Sequence, residues 1–298
     1  MWKENEMICL SPHSKRHHNT IISLIFLGFF SIMTPRPALS QAMANGESVP
    51  REISSYADAA DLVTASPLVI KARIEKRKMV NFAAANTSTA PIRYALLTAR
   101  VESLIRGENG IAPVVNFLVR DVPKGTPRPP YMRNKAEVLL FARPGSKAGD
   151  IQLTSRSAIQ PWNAALETTV RSITGELLQN DSAPAINGIG DAFHIAGTVA
   201  GESETQIFLK TSNGAPVSLS IVQRPGQAPH WGVSLGEIVD ESAAAPAPGT
   251  LLWYRLACGL PAALPPEATR SLPMLDAEAA RRDYKLVLES LGSCGRTL

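Results

Sequence analysis

Residues 68–77 read LVIKARIEKR, with Leu68, Ile70, Ala72 and Ile74 alternating against Lys71, Arg73, Glu75 and Arg77. A period of two places one set of side chains in a core and the other in water, so the stretch predicts a β-strand with one solvated side. Its surroundings extend the pattern. Upstream, Ser55 to Ser66 reads as a short helix capped by Ser55, with Tyr56, Ala59, Ala60 and Val63 on one face and Pro67 ending it. Downstream, residues 82–91 are small and polar and predict a loop. A second strand follows from about Ile92 to Ile105, burying Ala95, Leu97, Ala99, Val101 and Ile105 and stopping at the turn Arg106-Gly107-Glu108-Asn109-Gly110. Val114 to Arg120 predicts a third strand with Val115, Phe117 and Val119 inside. Glu137 to Ala142 is apolar nearly throughout, as expected of a central strand. Between these two lies a loop in which Pro123, Pro127, Pro129 and Pro130 flank Lys124, Arg128, Tyr131 and Arg133, a segment at once extended, basic and aromatic.

The rest of the chain divides in the same manner. Asn163 to Gln179 carries Leu166, Val170, Ile173 and Leu177 on one helical stripe, and Asn180 to Asp191 is rich in turn residues and reads as a linker. A second set of strands is expected from the alternations Phe193-Ile195-Val199, Ile207-Leu209, Val217-Leu219-Ile221 and Trp231-Val233-Leu235. Leu251 to Cys258 reads as a last strand. Asp276 to Leu291 reads as a closing helix capped by Asp276 and stopped by Gly292. The fold class expected is mainly β with flanking helices, α+β: a small barrel over 51–160, a connection over 161–184, and a second antiparallel unit with a C-terminal helix over 185–298.

The run from Ala59-Ala60-Asp61-Leu62-Val63 through Tyr94 to Val101, Leu104-Ile105-Arg106-Gly107 and Val138-Leu139-Leu140-Phe141 resembles the netrin-like, OB-type small barrels of exported bacterial proteins. The resemblance covers about a third of the chain. It implies a barrel that binds ligands on strand faces and adjoining loops. The early cysteine pairs of the animal members are missing, which leaves an inhibitor activity without support.

The first forty residues point to export. Lys15, Arg16, His17 and His18 precede an uncharged run from Ile21 to Met33, too short for a bilayer, which needs roughly 20 apolar residues. Small residues then allow cleavage before Gln41 or before Asn45; the reading taken is a signal peptide over 1–44, a periplasmic or secreted destination, and no membrane span afterwards. Cys9 would leave with the signal, so Cys258 and Cys294 remain as an even pair and are expected to form a disulfide. The formal net charge of +4 is unevenly spread: residues 51–150 hold sixteen Lys and Arg against nine Asp and Glu, and residues 151–298 hold ten against fourteen. A basic first half can attract an anionic envelope polymer, or the two halves can dock through opposite charge. No nucleic-acid partner is expected.

Catalytic motifs lack their context. Gly232-Val233-Ser234-Leu235-Gly236 matches the G-x-S-x-G elbow, but a Pro/Ala segment follows where the elbow needs a helix, and no histidine follows His230. His194 and His230 are the only histidines after the signal, too few for a multi-histidine metal site even with Asp191 or Glu237 beside them. Gly188-Ile189-Gly190 is a turn without the third glycine of a dinucleotide loop. The adjacent Asp240 and Glu241 do not make a carboxylate pair across a cleft. No catalytic residue, metal or cofactor is therefore assigned. The function expected is a non-enzymatic binding or assembly factor of the cell envelope, its partner an anionic polymer or another envelope protein, with Lys71, Arg73, Arg77, Lys124, Arg128, Tyr131 and Arg133 as the binding surface. The alternative is a hydrolase of envelope polymers.

Overall fold

Leu68, Ile70, Ala72 and Ile74 are buried together on one face of a strand, as their alternation requires. The computed structural model describes residues 51–81, 93–122, 125–236 and 243–298; the signal segment expected over 1–44, the loop expected at 82–91, and Pro123, Lys124, Glu237, Asp240 and Glu241 lie outside the described residues. The elements are α1 (Tyr56–Ala65), β1 (Leu68–Asn81), β2 (Arg93–Arg106), β3 (Val114–Arg120), β4 (Glu137–Pro144), β5 (Ile151–Leu153), β6 (Ile159–Pro161), α2 (Ala164–Leu177), β7 (Ile186–Ala196), β8 (Ser203–Thr211), β9 (Val217–Gln223), β10 (His230–Ser234), α3 (Leu251–Gly259) and α4 (Met274–Leu291). The class is α+β, with two antiparallel sheets and flanking helices among the described residues.

The first sheet is built around β1, which pairs antiparallel with β2 on one edge and β4 on the other. β2 carries β3, and β4 carries β5 and β6, giving the order β3-β2-β1-β4-β5. Three register shifts between β1 and β2 bend that pair. The sheet curls until Asn116 and Asp150 meet in a parallel bridge. Ile70, Ile74, Leu97, Phe117 and Leu140 fill the interior, with Tyr131 and Met132 entering from a 3-10 turn at Pro130–Met132. β4 is apolar on both faces because Val138 and Leu140 point into this interior while Leu139 and Phe141 belong to the helical core outside it.

The second sheet is a meander, β10-β9-β8-β7. Ile207, Leu209, Leu219, Ile221, Trp231 and Val233 share one core with Leu256 of α3 and Tyr284 and Val287 of α4. That core continues through α1 and through Val170 and Ile173 of α2, the helix expected as a connection. The starts of α2 and α1 are satisfied locally. Asn163 accepts from Leu166 N at 2.8 Å, and Ser55 from Asp58 N at 3.1 Å. At the other end of α1, Arg106 from β2 donates to Val63 O at 2.6 Å and Ser66 O at 3.1 Å, adding a charged donor to the carbonyls of the last turn.

The C-terminal residues are tied across α1. The carboxylate of Asp58, fully buried, accepts from Thr297 N and Thr297 Oγ1 at 2.7 Å each and from Leu298 N at 3.0 Å. Arg296 donates through Nε and Nη2 to Asp61 at 2.5 and 2.9 Å, and Tyr254 of α3 donates to the same carboxylate at 2.6 Å. Cys258 and Cys294 are bonded, with Cα atoms 5.0 Å apart. Burial opposes the charge on Asp58, yet these donors and Ser54 hold its carboxyl well below the usual range.

Three expectations are corrected. Leu251 to Cys258 is not a strand but helix α3: Thr250 accepts from Trp253 N at 3.2 Å and Glu176 of α2 accepts from Leu251 N at 2.7 Å, so two side chains cap it. The disulfide consequently ties a helix, not a strand, to the segment after α4. The linker expected over 180–191 is shorter, because β7 begins at Ile186; bulges between Ile186/Gly188 and Ile189/Ala192 invert its alternation. Ala192 is buried, and Phe193 and Ile195 lie on the outer face, 49% and 71% exposed. Finally, α4 starts at Met274, and Asp276 sits in its first turn instead of capping it.

Candidate functional site

The cations expected to form a binding face are held by carboxylates from neighbouring strands. Arg73 donates to Glu102 on β2 and Glu137 on β4, each at 2.7 Å. Lys71 lies 3.4 Å from Glu102, 3.7 Å from Glu137 and 3.8 Å from the centre of the Trp162 ring. Hydrogen bonding to Glu102, ahead of its charge, pushes the Arg73 guanidinium further up. Arg77 is paired at 2.5 Å with Asp121, which also holds Arg93 at 3.2 Å. Lys71 and Arg73 thus form one cluster and Arg77 a separate one. Arg128 and Arg133 are exposed on the loop before β4, while Tyr131 between them is buried, 3% exposed, in the barrel core. Burial, with the charge of Glu52 nearby, pushes the Tyr131 hydroxyl up to about 12.

The motif residues of the second sheet do not converge. Ser234 is buried at the end of β10 opposite Ser218, and His230 lies four strand residues earlier, roughly 13 Å away at the usual rise. His230 faces Ala243 O at 3.2 Å, and His194 shares a hydrogen bond of 2.7 Å with Thr205. Gly232 has a packing reason: a Cβ there would stand 2.2 Å from the backbone oxygen of Ala243, which crosses β10 at this point. Among the described residues no three His, Cys, Asp or Glu side chains gather as metal ligands. No helix among them is long and apolar enough to cross a membrane.

One concavity of the fold lies where the first sheet fails to close. Beyond the Asn116–Asp150 bridge β3 and β5 are no longer paired, and a groove of about 690 Å³ lies along them. Phe117, Val119, Ile151, Ile159, Met132 and Tyr131 form its floor, so it opens onto the barrel interior. Leu118, 42% exposed, stands on its β3 side. The Tyr131 hydroxyl has no hydrogen-bond partner among the described residues, which is costly for a buried polar group. Arg120 and Arg156 line the groove, and two further arginines, Arg77 and Arg93, hold Asp121 at its rim; Asp150 is the other carboxylate in the lining. In the lining itself two arginines and two aspartates surround an apolar floor, and Arg156 is exposed. Of the described residues that the sequence proposes for binding, Tyr131 alone lines the groove. Leu118 and Ile151 were the signal available: Leu118 is an apolar side chain on the face of β3 that otherwise carries Asn116 and Arg120.

No protein-family profile matches the chain, and no curated protein matches it either.

Proposed function

We propose that the protein is an exported, non-enzymatic binding factor of the cell envelope, and that the groove between β3 and β5 is its ligand site, taking an elongated apolar group that carries negative charge. The observation that carries this reading is the composition of the groove: a floor of apolar core residues open to solvent, a buried Tyr131 hydroxyl without a partner among the described residues, and the exposed Arg156 in its lining. Pockets of 300 to 1,000 Å³ with apolar walls and a few polar groups are typical of ligand sites. The strand order β3-β2-β1-β4-β5, the long first strand shared by both halves and the parallel approach of β3 to β5 support an OB-type barrel. The bonded pair Cys258–Cys294 supports an oxidising destination, periplasmic or secreted. Lys71, Arg73 and Arg77 are neutralised by Glu102, Glu137 and Asp121, so the groove is the better site than the strand face.

Anilinonaphthalene sulfonate, an apolar fluorophore with one negative charge, is a direct probe. It is expected to bind the folded protein with enhanced emission. Arg156→Glu and Leu118→Glu, both at exposed positions, are each expected to weaken it about tenfold, roughly 1.4 kcal/mol, without altering the near-ultraviolet circular dichroism. Binding that is absent in the wild type, or unchanged from wild type in both variants, overturns the assignment of the site.

A further inference from the structure

We infer that the outer face of the second sheet is a further binding site, and that it takes a neutral chain of N-acetylated sugars. The site shares no residue with the groove of the first sheet and does not depend on that groove being occupied.

Strand register sets out what this face presents. Ile195, Glu204, Val222 and His230 lie side by side across the four strands, and the next row is Phe193, Gln206, Ser220 and Gly232. These positions alternate with the buried Thr205, Ile207, Leu219, Ile221 and Trp231, so both rows point away from the core. The second row is low in its middle, because Ser220 is small and Gly232 has no side chain. Ala243 crosses over Gly232 at the β10 edge, and Ile195 stands at the β7 edge. The turns that carry Glu202 and Arg224 border the same end. The result is a trough of about 790 Å³, a size typical of ligand sites.

The polar side chains of the trough are uncommitted, in contrast to those on the outer face of β1. Glu202, Glu204, Gln206, Ser220, Arg224 and Gln227 line it, and their side chains make no hydrogen bond or ion pair among the described residues. Carboxylate and amide acceptors thus stand in one concavity with amide, hydroxyl and guanidinium donors. Apolar surface is interleaved with them. Ile195, Val222, Ala228 and Ala243 line the same trough, and the exposed rings of Phe193 and Phe208, edge to face with centroids 5.9 Å apart, stand beside it. A sugar ring has the matching pattern, hydroxyls around a face of C–H groups that packs on an aromatic ring. An acetamido group fits the end of the floor: its N–H meets the Glu204 carboxylate, its carbonyl meets the Arg224 guanidinium, and its methyl lies on Val222. Glu204 is the cross-strand neighbour of Val222, and Arg224 follows two residues later on the same side. Two carboxylates against one guanidinium leave the trough no excess positive charge, which disfavours an acidic polymer and favours a neutral chain.

The test is calorimetric titration of the whole protein with N-acetylchitopentaose and with cellopentaose, a chain of the same length and linkage that lacks the acetamido groups. N-acetylchitopentaose is expected to bind about tenfold more tightly than cellopentaose. Glu204→Ala and Phe193→Ala, both at exposed positions, are each expected to weaken it about tenfold, with fluorophore binding in the groove at its wild-type value. No binding of either chain, equal affinity for the two, or affinity unchanged from wild type in both variants overturns the inference. The fluorophore reports on the groove and the glycan on the trough, so failure of one reading leaves the other standing.

Discussion

Two regions of this fold are finished to opposite degrees. Across α1, residues 296–298 meet Asp58 and Asp61 with donor matched to acceptor throughout, and Cys294 is bonded to Cys258 a short distance away. Beside β3 and β5, by contrast, an apolar floor lies open past the Asn116–Asp150 bridge, and a buried hydroxyl has no partner among the described residues. The first region contributes stability because its polar groups are already satisfied. The second retains unsatisfied capacity, which is what a binding site must have before its ligand arrives. Substitutions should therefore separate the two, lowering stability in one place and affinity in the other.

The largest effect is expected at the disulfide. The bond closes a loop of 36 residues, for which the chain-entropy account gives about 4 kcal/mol. The Cys258→Ser/Cys294→Ser variant is expected to lose roughly that amount in urea unfolding, with fluorophore binding in the groove unchanged at a concentration where it remains folded. A loss under 1 kcal/mol would mean that the tail is held by its carboxylate contacts alone.

Next in size is Asp58→Asn. The buried side chain keeps its shape but loses the charge that three donors from Thr297 and Leu298 address, and hydrogen bonds to a charged group are worth about 1.5 to 3 kcal/mol each before relaxation. A net loss of about 3 kcal/mol is expected. The sign with pH follows from the lowered carboxyl: the unfolded state takes up a proton near pH 3.9, the ordinary Asp value, before the folded state does. Its contribution is fully present above that range and is lost as the pH falls below it. The difference between wild type and Asp58→Asn should accordingly shrink on acidification; a difference constant from pH 7 to pH 3 would show that the carboxylate charge is not what holds the tail. In the groove the expectation reverses. Leu118→Glu changes a side chain already 42% exposed, and its stability should stay within about 0.5 kcal/mol of wild type.

What could be read in advance follows the same division. β1, β3, β4, α1 and α2 were legible because burial imposes a period on a long segment and their caps are single side chains beside them. α3 was not. Its apolar run is nine residues long, too short for periodicity to separate helix from strand, and one of its caps, Glu176, comes from 75 residues away. β7 reads with inverted faces because two bulges each insert a step that composition does not announce. β5 and β6 are three residues each, too short to show alternation. The candidate site was hidden for a related reason: it lies where β3 and a three-residue strand stop pairing, a property of closure that no local stretch encodes. Arg73 and Lys71 stood out as cations, whereas the Glu102 and Glu137 that oppose them are brought in by pairing across two strands.

That last pairing supplies the smallest and most discriminating expectation. On the outer face of β1, two cations are shared between two carboxylates, so the cluster is close to neutral, and its members are partly exposed and screened by salt. Glu102→Gln/Glu137→Gln removes both negative charges while preserving size, and Lys71 stays beside Trp162. The wild-type face should show little retention on a heparin column at low salt. The double variant should be retained measurably longer, with the difference vanishing as ionic strength rises, and fluorophore binding in the groove should not change. Strong retention of the wild type, unaltered by the substitutions, would place a polyanion site elsewhere on the basic half, with Arg128 and Arg133 the first residues to substitute. Retention that rises only when the carboxylates are removed means the protein spends its own acidic residues to keep this strand face from acting as a polyanion site, and leaves the open seam as the place where charge and apolar surface act together.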